Sequence, residues 1–211
     1  MKRIWSKPQK NALDGDGPIV DRARQALYRV AAQFGEVTDR ERTQATVTTP
    51  DGLELVFAYD NGNYIFSRVY NLSISTVLPM GTEVQAGTEV AFKGSAGPAF
   101  VPAKTAGGLA VARTATTTAS SATTTSAMAD LNAVAGDHLR GIDLLSAQVR
   151  SQAGRRVLHL TPMGGSFVWV LIPPVFKATA FPPGEPGRIL ELIRALRGFS
   201  TSATTPKGHH A

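Results

Sequence analysis

Gly154–Arg197 reads GRRVLHLTPMGGSFVWVLIPPVFKATAFPPGEPGRILELIRALR. Arg155–Leu160, Ser166–Ile172 and Val175–Phe181 have strand composition, because β-branched and aromatic side chains suit a half-buried pleated surface. Pro182-Pro183-Gly184 stops the sheet. Ile189, Leu190, Leu192, Ile193 and Leu196 then recur at helical spacing, with Arg188, Arg194 and Arg197 on the exposed side. Strands followed by an amphipathic helix are what this stretch specifies.

Working upstream, Leu144–Ser151 supplies another strand. A helix is expected over Ala127–Gly141, with Met128, Leu131, Val134, Ala135 and Leu139 on one side. The same order stands near the start of the chain. Pro18 suits a first helical turn, where its missing N–H costs nothing, and Ile19, Ala23, Ala26, Leu27, Val30, Ala31 and Phe34 follow along one face. Three strand-like runs come next: Thr43–Thr49, Leu53–Tyr59 and Tyr64–Ile74. Pro50-Asp51-Gly52 and Asp60-Asn61-Gly62-Asn63 read as the turns between them.

Sliding the second half onto the first by 102 residues gives a gap-free match in pattern over Thr43–Ile74. Ala45 and Val47 fall on Ala147 and Val149, Gly52 on Gly154, Phe57 on His159, and Gly62-Asn63 on Gly164-Gly165. The expected fold is therefore α+β: two similar helix–three-strand halves forming antiparallel sheet covered by helices, either one continuous sheet or two layers. One such unit alone buries too little apolar surface to stand. The expected organisation is a basic arm at 1–17, a first half at 18–94, a low-complexity linker at 95–126, a second half at 127–198 and a polar tail at 199–211. Glu89–Lys93 is a further short strand within the first half, and Thr114–Ser126 offers almost nothing large to bury.

The net charge of +6 lies mostly in the arm, where Lys2, Arg3, Lys7 and Lys10 stand with no acid. Without them eighteen basic residues face sixteen acidic ones, so the folded body is near balance. The absence of cysteine removes disulfides, thiolate metal sites and cysteine nucleophiles. The first seventeen residues contain no apolar run of leader length and Phe167–Ile172 is too short to span a bilayer, so a cytoplasmic location is expected.

No phosphate loop, dinucleotide fingerprint or nucleophile elbow occurs. His138 and His159 have no partner at ligand spacing, and Gly164-Gly165-Ser166 reads as turn chemistry. No catalytic residue, metal site or cofactor is assigned. The expected function is a non-enzymatic interaction protein acting through a sheet or apolar surface of the second half, with Phe167, Trp169, Phe176 and Phe181 as contact residues and a protein partner or homo-oligomer as the complex. Two alternatives stand beside it. One is a nucleic-acid or anionic-surface binder using the arm with its Trp5, plus Arg155 and Arg156. The other is a binder of a small hydrophobic ligand between sheet and helices.

Overall fold

Helix α1 (Pro18–Ala31) begins on its proline and buries Ala23, Ala26, Leu27, Val30 and Ala31 as expected, with Val20 in place of the expected Ile19, which is half-buried. In the computed structural model, which describes residues 12–63, 67–92, 97–103, 118–170 and 175–199, two further helices and ten strands follow. They are β1 (Glu36–Arg40), β2 (Gln44–Thr48), β3 (Glu54–Asn63), β4 (Ser67–Val77), β5 (Thr88–Phe92), β6 (Pro98–Pro102), α2 (Thr118–Arg140), β7 (Leu144–Gln152), β8 (Arg155–Pro162), β9 (Phe167–Val170), β10 (Val175–Ala178) and α3 (Glu185–Gly198). The expected α+β class holds, with every strand pair antiparallel in one sheet ordered β1-β2-β3-β4-β8-β7-β5-β6.

Alternation decides which face is dry. Ala45, Phe57, Ile74, Leu160 and Ala147 are successive cross-strand partners, and all are buried. Directly opposite residues share a face, so this row lies under the helices, whose apolar residues join the same core. One step along each strand, Thr46, Val56, Ser75, His159, Gln148, Glu89 and Val101 form a parallel row on the other face, all half-buried. Antiparallel sheets tolerate such one-sided burial.

The register corrects the gap-free match between the halves. Ala45 pairs with Phe57, whereas its counterpart Ala147 pairs with Leu160, not with His159. The first hairpin turns through Thr49–Leu53, and the second through Ala153 and Gly154 alone. The offset therefore grows from 102 to 103 residues across the turn, and one residue is enough to exchange the two faces of a strand. Matched by their strand partners, Phe57 would fall on Leu160 and not on His159, which points to the helix-free side.

Two expected turns are also corrected. Asp60, Asn61, Gly62 and Asn63 lie within β3 and pair with Asn71, Tyr70, Val69 and Arg68 of β4. Tyr59 and Tyr70, both buried with ring centroids 6.1 Å apart, carry the pairing past the Asn-Gly signal. Gly164-Gly165 makes no hairpin either. The strands β8 and β9 on its two sides both pair with β4, in line with one another. Between the Ile74–Leu160 and Tyr70–Phe167 pairs, β4 advances four residues and the other chain seven. The extra residues form a wide bulge, and Ser166 Oγ accepts the N–H of Leu72 at 3.2 Å to bridge the gap. Beyond it the sheet forks, β7 continuing from β8 and β10 from β9.

Structure extends into three stretches read as unstructured. Leu13, inside the expected arm, is fully buried and its carbonyl accepts from Arg24. Phe199, the first residue of the expected tail, is buried and its carbonyl accepts the N–H of Glu83. Strand β6 and the start of α2 lie within the expected linker, of which residues 95–96 and 104–117 are outside the described residues. Prolines at both ends hid β6, and its outer edge is closed by a side chain. Asn132 of α2 accepts the N–H of Phe100 at 2.7 Å and donates to its carbonyl at 2.9 Å, replacing a neighbouring strand. At the opposite edge β1 is protected by a bulge between Val37 and Asp39 and by its charged residues. Short and charged, β1 gave no strand signal. Among the described residues no helix is long and apolar enough to cross a membrane.

Candidate binding surface

The stretch Phe167–Phe181 is divided by its packing. Phe167 is buried, its ring 5.9 Å from Tyr70. Phe181 lies against Phe34 at 5.5 Å and over the bulge. These two hold the fold together. Trp169 and Phe176 are cross-strand partners on β9 and β10, stacked with centroids 6.5 Å apart and planes at 29°. Trp169 is half-buried and Phe176 is 37% exposed. The guanidinium of Arg22, from α1, lies 4.6 Å from the centre of the Phe176 ring, close enough for a cation–π contact. On the far side of Trp169 its partner on β4 is exposed Arg68. Arg68, Trp169 and Phe176 thus make one row on the helix side of the sheet.

The expected anion contacts separate in the same way. Arg155 is exposed. Arg156 is engaged, donating to the Val84 carbonyl at 3.1 Å and the Met80 carbonyl at 2.8 Å, which pins the loop after β4. Lys2, Arg3, Lys7 and Lys10, with Trp5, are outside the described residues. Arg22 and Arg68 were missed as candidates. Their charges were visible in the sequence, but only the β4–β9 register and the seat of α1 bring them to the aromatic pair.

On the helix-free face His159 stands between Ser75 and Gln148. Burial holds its imidazole below the ordinary value; Arg150 pushes the same way and Asp60 against it. Ser75 Oγ donates to the Val56 carbonyl at 3.4 Å, so the hydroxyl is not directed to the imidazole. A depression of about 260 Å³ lies beside this row, lined by Glu54, Val56, Ser75, Val77, Gln152 and Val157 among others. A crevice of about 20 Å³ between α2 and the loop before β5, lined by Val84, Met128, Leu131 and Phe199 among others, is water-sized. Among the described residues no cluster of His, Asp or Glu is placed to hold a metal ion.

One buried carboxylate stands apart. Glu185 opens α3 with no exposed surface; one oxygen accepts the N–H of Asp143 at 2.7 Å and the other has no partner among the described residues. Burial raises its pKa above the ordinary value near 4.5, the Asp143 charge adds to that, and the Asp143 N–H and the Arg188 charge oppose it. A raised carboxyl pKa means that the folded state binds more protons than the unfolded one, so stability falls as pH rises from about 4.5 towards the raised value. Glu185→Gln mimics the protonated form. Its urea midpoint is expected to gain on that of the parent as pH rises from 4.5 to 7; a difference that stays constant across this range would show that Glu185 is not the titrating group.

Residues 32–200 match the model of a family described as "Protein of unknown function (DUF3156)", a match that begins directly after α1. No curated protein matches the chain, and no solved structure does.

Proposed function

The chain belongs to the DUF3156 family, and from that starting point we propose that it is a non-enzymatic interaction protein whose contact surface lies in its second half, on the β9–β10 hairpin. The observation that carries this reading is the Trp169–Phe176 stack. Aromatic side chains are the largest apolar groups a chain has, and an ordinary core absorbs them, as it absorbs Phe167 here. A stacked pair left partly open, with an arginine over one ring, is instead the composition of an interface anchor.

The sheet supplies a rigid support for that surface. Its two glycine turns, Gly52 with φ 77° and Gly154 with φ 75°, favour reading β2–β3 and β7–β8 as equivalent hairpins, joined through β4 and β8. The helix-free face is the competing surface, but its central row mixes Val56 and Val101 with Thr46, Ser75, His159, Gln148 and Glu89 and holds no Phe, Tyr or Trp.

Site-specific photocrosslinking in cells separates the two surfaces. Benzoylphenylalanine placed at Phe176 is expected to give defined adducts, and the same group at Gln148 on the helix-free face is expected to give none above background. Adducts from position 148 with none from 176 would move the function to the other face. Digestion of the adducts with protease or nuclease identifies the class of partner.

A further inference from the structure

Resting on that reading of the hairpin, we infer that its partner is single-stranded nucleic acid, with bases stacking at the Trp169–Phe176 pair and phosphates meeting Arg22 and Arg68. The aromatic row is flanked by cations on both sides. Arg68 stands directly across from Trp169, which stands directly across from Phe176. With strands about 4.8 Å apart, the row spans roughly 10 Å. Arg22 lies at the Phe176 end. Guanidinium groups can lie flat on a ring and still present N–H donors to phosphate oxygens.

Among the described residues Arg22 and Arg68 have no carboxylate partner, and neither do Arg29, Arg40, Arg150 or Arg155, whereas four other arginines do. Arg24 pairs with Asp21, Arg42 with Asp16, Arg140 with Asp137 and Arg194 with Asp51. In a body near charge balance, two such cations beside the half-buried Trp169 and the 37% exposed Phe176 complement a ligand that is both anionic and flat-faced.

Base-tolerant stacking favours a single strand over a duplex, whose bases present no free faces.

The test uses the full chain carrying Trp5→Phe, which leaves Trp169 as the one tryptophan. Titration with oligo(dT) of about twenty nucleotides at low salt is expected to quench Trp169 emission. Binding of the labelled oligomer, read by anisotropy, should weaken with salt. The Arg22→Ala/Arg68→Ala pair is expected to weaken binding about tenfold and to lower the slope of log affinity against log salt by about 1.4. Trp169→Ala in the parent chain is expected to weaken binding at least about fivefold. Circular dichroism and urea midpoints check that each variant folds. Heparin and phosphatidylserine vesicles serve as anions without bases. The inference fails if oligo(dT) leaves Trp169 emission unchanged, if the variants bind as the parent does, or if heparin or vesicles quench equally. Crosslinks from position 176 that resist nuclease but not protease would overturn the nucleic-acid partner while leaving the interaction surface standing. Absence of crosslinks there would remove the surface itself.

Discussion

Gly165→Ala is expected to destabilise the protein by about 2–4 kcal/mol in urea unfolding, whereas Gly154→Ala should cost only about 1 kcal/mol. The backbone angle φ is 75° at both glycines, so a side chain at either position carries the strain of the left-handed region. Only the surroundings differ. At Gly154, in the two-residue turn between β7 and β8, an added Cβ would meet nothing within 4 Å. At Gly165 it would lie 2.6 Å from Leu72 Cδ2 and 2.9 Å from both Phe181 Cζ and Val30 Cγ1. Relief requires movement of β4, the Phe181 ring and α1 together.

The cost at Gly165 reaches beyond one overlap because its backbone is fully committed. Its carbonyl accepts the buried Tyr59 hydroxyl at 2.9 Å, and its N–H donates to the Thr179 carbonyl at 2.9 Å. Displacing the bulge by a few tenths of an ångström therefore strains the contact from β3 and the return of the chain after β10 as well. Equal losses at the two glycines would show that backbone strain alone matters, and that the bulge is not a packing point.

The same bulge explains what the sequence could and could not convey. The apolar spacing of α1 is a local property of one helix, and it predicts the observed buried face closely. The alternation of Ala147 and Val149, or of Leu158 and Leu160, is likewise local and marks core strands. By contrast, Gly164-Gly165 has the composition of a tight turn and of an in-line bulge alike, because both need a left-handed residue and a close backbone approach. The choice is made by Leu72, Val30 and Phe181, distant in sequence. Placement of β5 and β6 beyond β7 depends on long-range pairing in the same way. The start of α2 was invisible because Thr118–Ser126 has no apolar period; Leu131, Ala135 and Leu139, which are buried, carry the period later in the helix. For the candidate site, the aromatic half was legible as composition. Its division into core residues and a partly open pair, and the addition of Arg22 and Arg68, came from register and packing.

Leu160→Ala is expected to lower stability by about 2–5 kcal/mol, while His159→Ala should change it by less than about 0.5 kcal/mol. The two residues are adjacent, so chain position, strand and secondary-structure propensity barely distinguish them. What separates them is the pleat. Leu160 is 1% exposed, in the buried row between Ile74 and Ala147; truncation leaves a cavity under the helices and removes apolar surface that folding had withdrawn from water. His159 lies on the helix-free face between Ser75 and Gln148, with its imidazole pKa held below the ordinary value by partial burial and Arg150, and water can replace whatever its removal exposes. Had the gap-free match of the halves been right, His159 would occupy the position of Phe57, and its truncation would open the core. Urea midpoints of the two variants therefore measure the one-residue change in register across the second hairpin. A large loss at His159 with little at Leu160 would reverse the faces of β8, and with them the assignment of the helix-free side.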